Sequence, residues 1–335
     1  MCKQILNQIA NEIHTQEQLL YNQKSSWECL VVKPANKWVE EAKNRPIPNM
    51  LFSEFWYEGE LCILFADTNI GKSILAVQIA DSISKGESIN GFKNQCIPKT
   101  VLYLDFELSD KQFENRCSDN YKNHAELNTE LNIPKEFKSI EDYLSHSLQN
   151  IIIEKQIDTV VIDNLTYLKS DNERAKDALE LMKLLKKLTK TSNTSILVLA
   201  HTPKRDDTKP ITKNDLAGSK MLMNFCDSSF AIGGSSIDTS YRYLKQIKQR
   251  NTEHIYHGNN VAICQLTKRT NFLCFEFLEY GIELDHLKQF NHNDLSERDD
   301  QMRDMIDQGL SNVKIAHQLG ISEGAIRKRR KALNV

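Results

Sequence analysis

Ala66, Asp67, Thr68, Asn69, Ile70, Gly71, Lys72 and Ser73 run in the order Ala or Gly, four residues, Gly-Lys, then Ser or Thr. That order suits a polyphosphate. A tight loop turns its backbone N–H groups inward around the phosphates, and a helix opening at Ile74 adds the positive end of its dipole. Lys72 would then reach the β- and γ-phosphates, and the Ser73 hydroxyl would hold a divalent cation, which makes ATP and Mg²⁺ the expected pair. The loop opens with Ala66 where glycine is common, and its interior is not glycine-rich. Asp67 so close to phosphates is expected to weaken affinity or slow turnover.

Further residues could complete such a site. Val160-Val161-Ile162-Asp163 is an apolar run ending in a carboxylate, as needed to orient Mg²⁺ from the end of a parallel strand. Tyr103-Leu104-Asp105-Phe106-Glu107 ends a second run. Glu107 is the candidate general base and Asp105 the competing choice, since residues two apart on a strand share a face. His201 closes another apolar run, where a polar strand tip could bond to the γ-phosphate and register its loss. The loop after it, 203–213, carries Lys204, Arg205, Lys209 and Lys213 among polar residues and two prolines. Such a loop is expected to order on meeting a phosphate backbone, here single-stranded DNA.

These groups need a scaffold that brings strand ends together. Short apolar runs at 61–65, 100–106, 158–162, 195–200 and 228–232 alternate with amphipathic segments, notably 74–85 and 174–190. That alternation predicts an α/β fold, a mostly parallel sheet covered on both faces. Residues 241–249, 260–266 and 272–279 instead read as antiparallel strands at one sheet edge, with a turn at Lys268-Arg269-Thr270-Asn271. The expected organisation is an N-terminal helical extension (1–45), an ATPase core (46–283), a linker (284–295) and a small helical module (296–335). Ser296 with Asp299 three residues later reads as the start of that module's first helix.

Composition sets limits. The chain has 335 residues, 40% hydrophobic, enough for one large core with appendages. Eight cysteines without a C-x-x-C pair read as reduced thiols of a cytosolic protein. No apolar stretch approaches the length of a membrane span and no signal-peptide core is present, so a soluble, cytoplasmic protein is expected. The net charge of −2 hides an asymmetry, because residues 311–335 carry six basic side chains against one acidic.

Those cations lie in a helix-turn-helix pattern. Ile315 and Ala316 sit in one helix, Leu319-Gly320-Ile321 at the turn, and Ser322 caps a second helix whose Ile326 packs back. Arg327, Lys328, Arg329, Arg330 and Lys331 line that second helix, which could enter a major groove. The module resembles the DNA-binding helix-turn-helix of resolvases and response regulators. Arg329 departs from the resemblance, standing where an apolar residue is frequent.

As a whole, residues 46–283 resemble RecA-like P-loop ATPases, and among them the plasmid RepA type of hexameric replicative helicase. The likeness rests on 66–73, the strand Val101 through Glu107, 160–163, His201-Thr202-Pro203-Lys204, Leu216-Ala217-Gly218-Ser219 and Lys248-Gln249-Arg250. It implies Glu107 as catalytic base, Asp163 as the Mg²⁺-orienting acid and His201 as a switch toward the nucleic-acid-facing loop. Lys248 and Arg250 match the family's K-x-R strand, whose cations enter the neighbouring subunit's site. Residues i and i+2 on a strand share a face, so the two cations would converge. The readings that follow are a DNA motor working as a homo-oligomeric ring, an ATP-switched DNA-binding regulator, and a recombination or repair filament.

Overall fold

The computed structural model describes residues 32–106, 137, 140–164, 174–203, 205–217, 219–269, 272–288, 292–319 and 321–333. Glu107 and Lys204 lie outside them, as do the expected N-terminal helix before residue 32 and the turn at 270–271. Contacts divide the chain into residues 1–47 and 48–335. In the first unit, α1 (Ala35–Lys43) buries none of its side chains. The Lys33 ammonium lies 5.0 Å from the Trp38 ring centroid and pairs with Glu41 at 2.8 Å.

The second unit opens with a small antiparallel pair, β1 (Met50–Phe52) and β2 (Trp56–Tyr57), too short for periodicity to reveal. Phe52 of β1 and Phe55 of the turn that follows join Phe92, Phe230 and Tyr256 in one packed group. There follow β3 (Leu61–Ala66), α2 (Lys72–Lys85), β4 (Val101–Asp105), α3 (Ile140–Glu154), β5 (Thr159–Asp163), α4 (Arg174–Ser192) and β6 (Ser195–His201). Next come α5 (Ser219–Phe225), β7 (Ser228–Gly234), β8 (Tyr241–Lys248), β9 (Val261–Arg269) and β10 (Phe272–Gly281). Eight of these strands form one sheet in the order β10-β9-β8-β7-β3-β6-β5-β4. β7, β3, β6, β5 and β4 are parallel, and β8, β9 and β10 join antiparallel at one edge, as the sequence predicts.

The central strands are buried along their length, save His201 at the tip of β6, because both faces are covered. On one face, Leu64, Leu197 and Leu199 pack with Leu75 and Ile79 of α2. On the other, Phe65, Val198 and Ala231 pack with Leu181 and Leu185 of α4. Five described cysteines, Cys62, Cys96, Cys226, Cys264 and Cys274, are free thiols buried in these layers.

The segment after β10 is tied to the sheet, because buried Glu283 pairs with Lys245 of β8 and accepts the Ile211 N–H at 2.7 Å. The first C-terminal helix, α6 (His292–Asp307), starts ahead of Ser296, so Ser296 lies inside it and not at a cap. With α7 (Asn312–Leu319) and α8 (Glu323–Leu333) it forms a module around Met302, Ile315, Ala316 and Ile326. Ser322 does cap α8, accepting the Ala325 N–H at 3.2 Å. Among the described residues no helix is long and apolar enough to cross a membrane.

Candidate nucleotide site

The parallel strands present their C-terminal ends side by side, and register decides what meets there. Ala66, the last residue of β3, stands opposite His201 on β6 and Ile232 on β7, while Asp105 stands opposite Asp163 on the adjacent pair. The turn out of β3 needs unusual backbone: Asn69 has φ 61° and Gly71 φ 107°. A Cβ at Gly71 would also meet the Phe275 ring at 3.0 Å, so this position is held to glycine twice over. Gly71 is the N-cap of α2 and supplies no side-chain cap, which leaves the first-turn N–H groups to an anion.

Lys72 is buried and reaches back over the turn. Its ammonium donates to the Ala66 and Asp67 carbonyls, each at 3.0 Å, and lies 3.2 Å from His201 Nδ1. The far ring nitrogen of His201 is 2.8 Å from the Asn164 amide nitrogen. Asn164 follows Asp163 across a cis peptide bond. A chain of contacts thus runs from the phosphate-loop lysine through His201 to the end of β5.

Asp163 is 1% exposed, and the Tyr103 hydroxyl donates to its Oδ2 at 3.0 Å. The β4–β5 register explains the contact, since Tyr103 pairs with Val161, two residues before Asp163 and on the same face. Neither Tyr103 nor Asn164 stands out in the sequence as a site residue. Arg242 is a third such case: from β8 it donates Nε–H to the Ile70 carbonyl at 2.9 Å and holds the crest of the loop. Asp67 turns its carboxylate onto its own loop, accepting the Thr68 N–H at 2.7 Å.

The donor set fits a magnesium-bound triphosphate. Uncapped N–H groups at Gly71, Lys72 and Ser73 and the Lys72 ammonium suit phosphate oxygens. The hydroxyl of Ser73 and the carboxylate of Asp163 are hard oxygen ligands of the kind Mg²⁺ accepts alongside phosphates and water. When bound, the cation would neutralise charge developing on the transferred phosphoryl group. In this arrangement the chain itself binds, orients and shields the phosphates.

The segment 202–217 leaves β6 at His201 and returns to it: Thr202 N–H donates to the Ala66 carbonyl at 3.1 Å, and Ala217 N–H to the His201 carbonyl at 3.3 Å. It has local structure of its own, contrary to the expectation of a loop ordered only by nucleic acid. Asp206 accepts from the Thr208 hydroxyl at 2.6 Å, and these bonds hold its carboxyl at about 2. Thr212 and Asp215 form a capping box. Lys209 and Lys213 are exposed, whereas Arg205 is half-buried and donates to the Lys209 carbonyl.

Lys248 and Arg250 lie elsewhere. β8 runs antiparallel to β7, so Arg242 sits beside the phosphate-loop end while Lys248 pairs with Ser229 at the opposite end of the sheet. Arg250 lies in a bend past the end of β8, so the two cations do not share a strand face as their spacing suggests. Lys248 donates to the Met223 carbonyl and, at 2.7 Å, to that of Cys226, and Arg250 lies 3.5 Å from Asp227 Oδ1. Burial lowers the Lys248 ammonium below its ordinary value.

The five cations of α8 do not act alike. Arg329 makes a two-point ion pair with Asp299 of α6, at 2.8 and 2.6 Å, and this pair raises its own value further. Arg330 donates to Asn312 at 3.0 Å, and Arg327 pairs with Glu323 at 2.7 Å. Arg327, Lys328 and Lys331 are exposed on the module surface. The polar residue at position 329 is thereby explained: it clamps two helices together.

A protein-family model described as AAA domain matches residues 32–207, more than half of the chain. The chain belongs to this AAA domain family. Membership agrees with the phosphate loop and the facing strand ends, and makes the protein a P-loop ATPase. Among solved structures, the AAA domain protein is similar to a KaiC-like protein of the hyperthermophilic archaeon Pyrococcus horikoshii OT3. That pair shares 11% identity at a TM-score of 0.46, over 69% of this chain and 99% of the other. No curated protein matches the sequence.

Proposed function

We propose that the protein is an oligomeric ATPase that moves or remodels DNA, in its most concrete form a replication-type helicase or translocase of a plasmid or other mobile element. What carries the reading is the path from Lys72 to His201 and the closure of segment 202–217 on that same histidine. A γ-phosphate that draws Lys72 away changes what His201 touches, and the basic segment carrying exposed Lys209 and Lys213 starts and ends there. Glu107 serves as general base, Asp163 orients Mg²⁺, and Arg250, 51% exposed, reaches a neighbouring subunit more readily than Lys248.

Phosphate release measured with and without single-stranded DNA tests the proposal, alongside mass in solution with a non-hydrolysable ATP analogue. The expected result is DNA-stimulated turnover by an assembly of several chains, with Glu107→Gln inactive and Arg250→Ala losing the stimulated rate. Turnover indifferent to DNA and to Arg250→Ala would remove the motor reading.

A second reading, an ATP-switched DNA-binding regulator, draws support from the C-terminal module. The Arg329–Asp299 clamp leaves Arg327, Lys328 and Lys331 on an exposed helix face suited to duplex DNA. A specific duplex footprint that disappears on deletion of 296–335, with no unwinding, would favour it.

A further inference from the structure

A cavity of about 280 Å³ adjoins the phosphate loop on the side away from Asp163. In the sheet, β6 and β5 flank β3 on the side to which Lys72 and His201 turn, and β7 flanks it on the other. The cavity lies against β7 and β8. Its apolar floor is Phe65, Ile211, Ala231 and Tyr243, all in the core layer facing α4 and not the layer of α2. Asp67 and Ile70 form the wall it shares with the phosphate loop.

Three features make this a built site. Gly233 has no room for a side chain, since a Cβ there would overlap the Tyr243 ring at 2.1 Å, so the ring lies close over the strand. Arg205 and Lys288 supply cations to the lining and Asp207 a carboxylate; among the described residues Lys288 pairs with Asp207 in an exposed contact that water screens. Thr202, 9% exposed and in the lining, has a buried hydroxyl with no hydrogen-bond partner among the described residues. A sealed, unpaired hydroxyl is costly.

An aromatic and aliphatic floor, a lone hydroxyl and cations together match a planar heteroaromatic group bearing an anion. The size lies near the lower end for small-molecule sites, suited to one ring system with its substituent. We propose that this cavity accepts one nucleotide unit, its base against the apolar floor and its phosphate at Arg205 and Lys288, separately from the triphosphate of the phosphate loop. Such a unit comes either from a free mononucleotide or from a DNA strand, and only the strand-borne source rests on the motor reading above. Thr202 is joined to the Ala66 carbonyl, so occupancy would be felt at the loop.

The test uses the full chain with the phosphate loop saturated by a non-hydrolysable ATP analogue. Deoxyadenosine monophosphate is titrated by calorimetry, and an oligothymidylate carrying one 2-aminopurine is titrated by fluorescence. At least one of the two probes is expected to bind. Thr202→Val should weaken that binding roughly five-fold, Thr202→Ser should retain it, and Thr239→Trp at the exposed rim should block it. Binding of the mononucleotide alone supports a free effector, and binding of the oligonucleotide with quenched 2-aminopurine supports a strand nucleotide. Displacement of the ATP analogue by the monophosphate would overturn the proposal, because the cavity would then be the nucleoside end of the first site. Binding unchanged in Thr202→Val and Thr239→Trp, or no binding of either probe, would also overturn it. Monophosphate binding without DNA-stimulated turnover would end the motor reading and leave this site standing.

Discussion

The two ends of the same parallel strands carry similar residues with opposite fates. At the C-terminal ends, Lys72 and His201 hold one another, and the first turn of α2 has no side-chain cap. At the N-terminal ends, Asp227 pairs with Lys186 and Arg250 and accepts the Leu61 N–H at 3.0 Å. Beside it, Glu60 is enclosed by Ser228, Tyr57 and Asn251, and burial pushes its carboxyl up to about 7. One end is arranged for a ligand that the chain does not supply. The other is arranged for the chain's own partners, so charge alone does not distinguish a site from a fastening. What distinguishes them is the first turn of α2, whose N–H groups no side chain caps.

That contrast predicts a division between losses of activity and losses of stability. Lys72→Ala should lower ATP turnover by about 10²–10³-fold while leaving the denaturant midpoint nearly unchanged, as read by phosphate release and chemical unfolding. Asp227→Asn should do the reverse, costing about 3 kcal/mol of stability, because Lys186 is left beside a neutral amide in a largely buried place.

Glu60 gives the same contrast a pH signature. The unfolded chain ionises this group near its ordinary 4.5 and the folded protein only near 7, so the folded state binds the proton more tightly. Stability associated with Glu60 is therefore full below about pH 4.5, falls as pH rises toward 7, and is flat above, a span of up to about 3 kcal/mol. Glu60→Gln should flatten this slope in unfolding midpoints measured from pH 4.5 to 8. The smallest effects should separate the cations of α8. Arg329→Ala should lower the melting temperature of the module slightly and lose that effect in high salt, whereas Lys331→Ala should leave melting unchanged and, on the proposed DNA-binding reading, reduce the salt slope of that binding by about one.

What was legible in the sequence was local. The phosphate loop, Asp163 and His201 could be placed because each sits where an apolar run stops, and strand ends in a parallel sheet gather by construction. The antiparallel edge was legible from alternation at 241–249 and 260–266. Contacts between distant segments were not. Tyr103 reaches Asp163 only through strand register, Arg242 reaches Ile70 only because β8 folds back along β7, and Arg329 finds Asp299 thirty residues away. Nothing in a single segment encodes such a meeting.

The Ala66 carbonyl receives two donors, the Lys72 ammonium at 3.0 Å and the Thr202 amide at 3.1 Å. Filling the phosphate loop takes the first donor away and leaves the second as sole claimant, shortening and strengthening that bond. The deuterium uptake of a single backbone position should then slow on loading and quicken on phosphate release, so the ATPase would carry a built-in clock hand that mass spectrometry reads without any label.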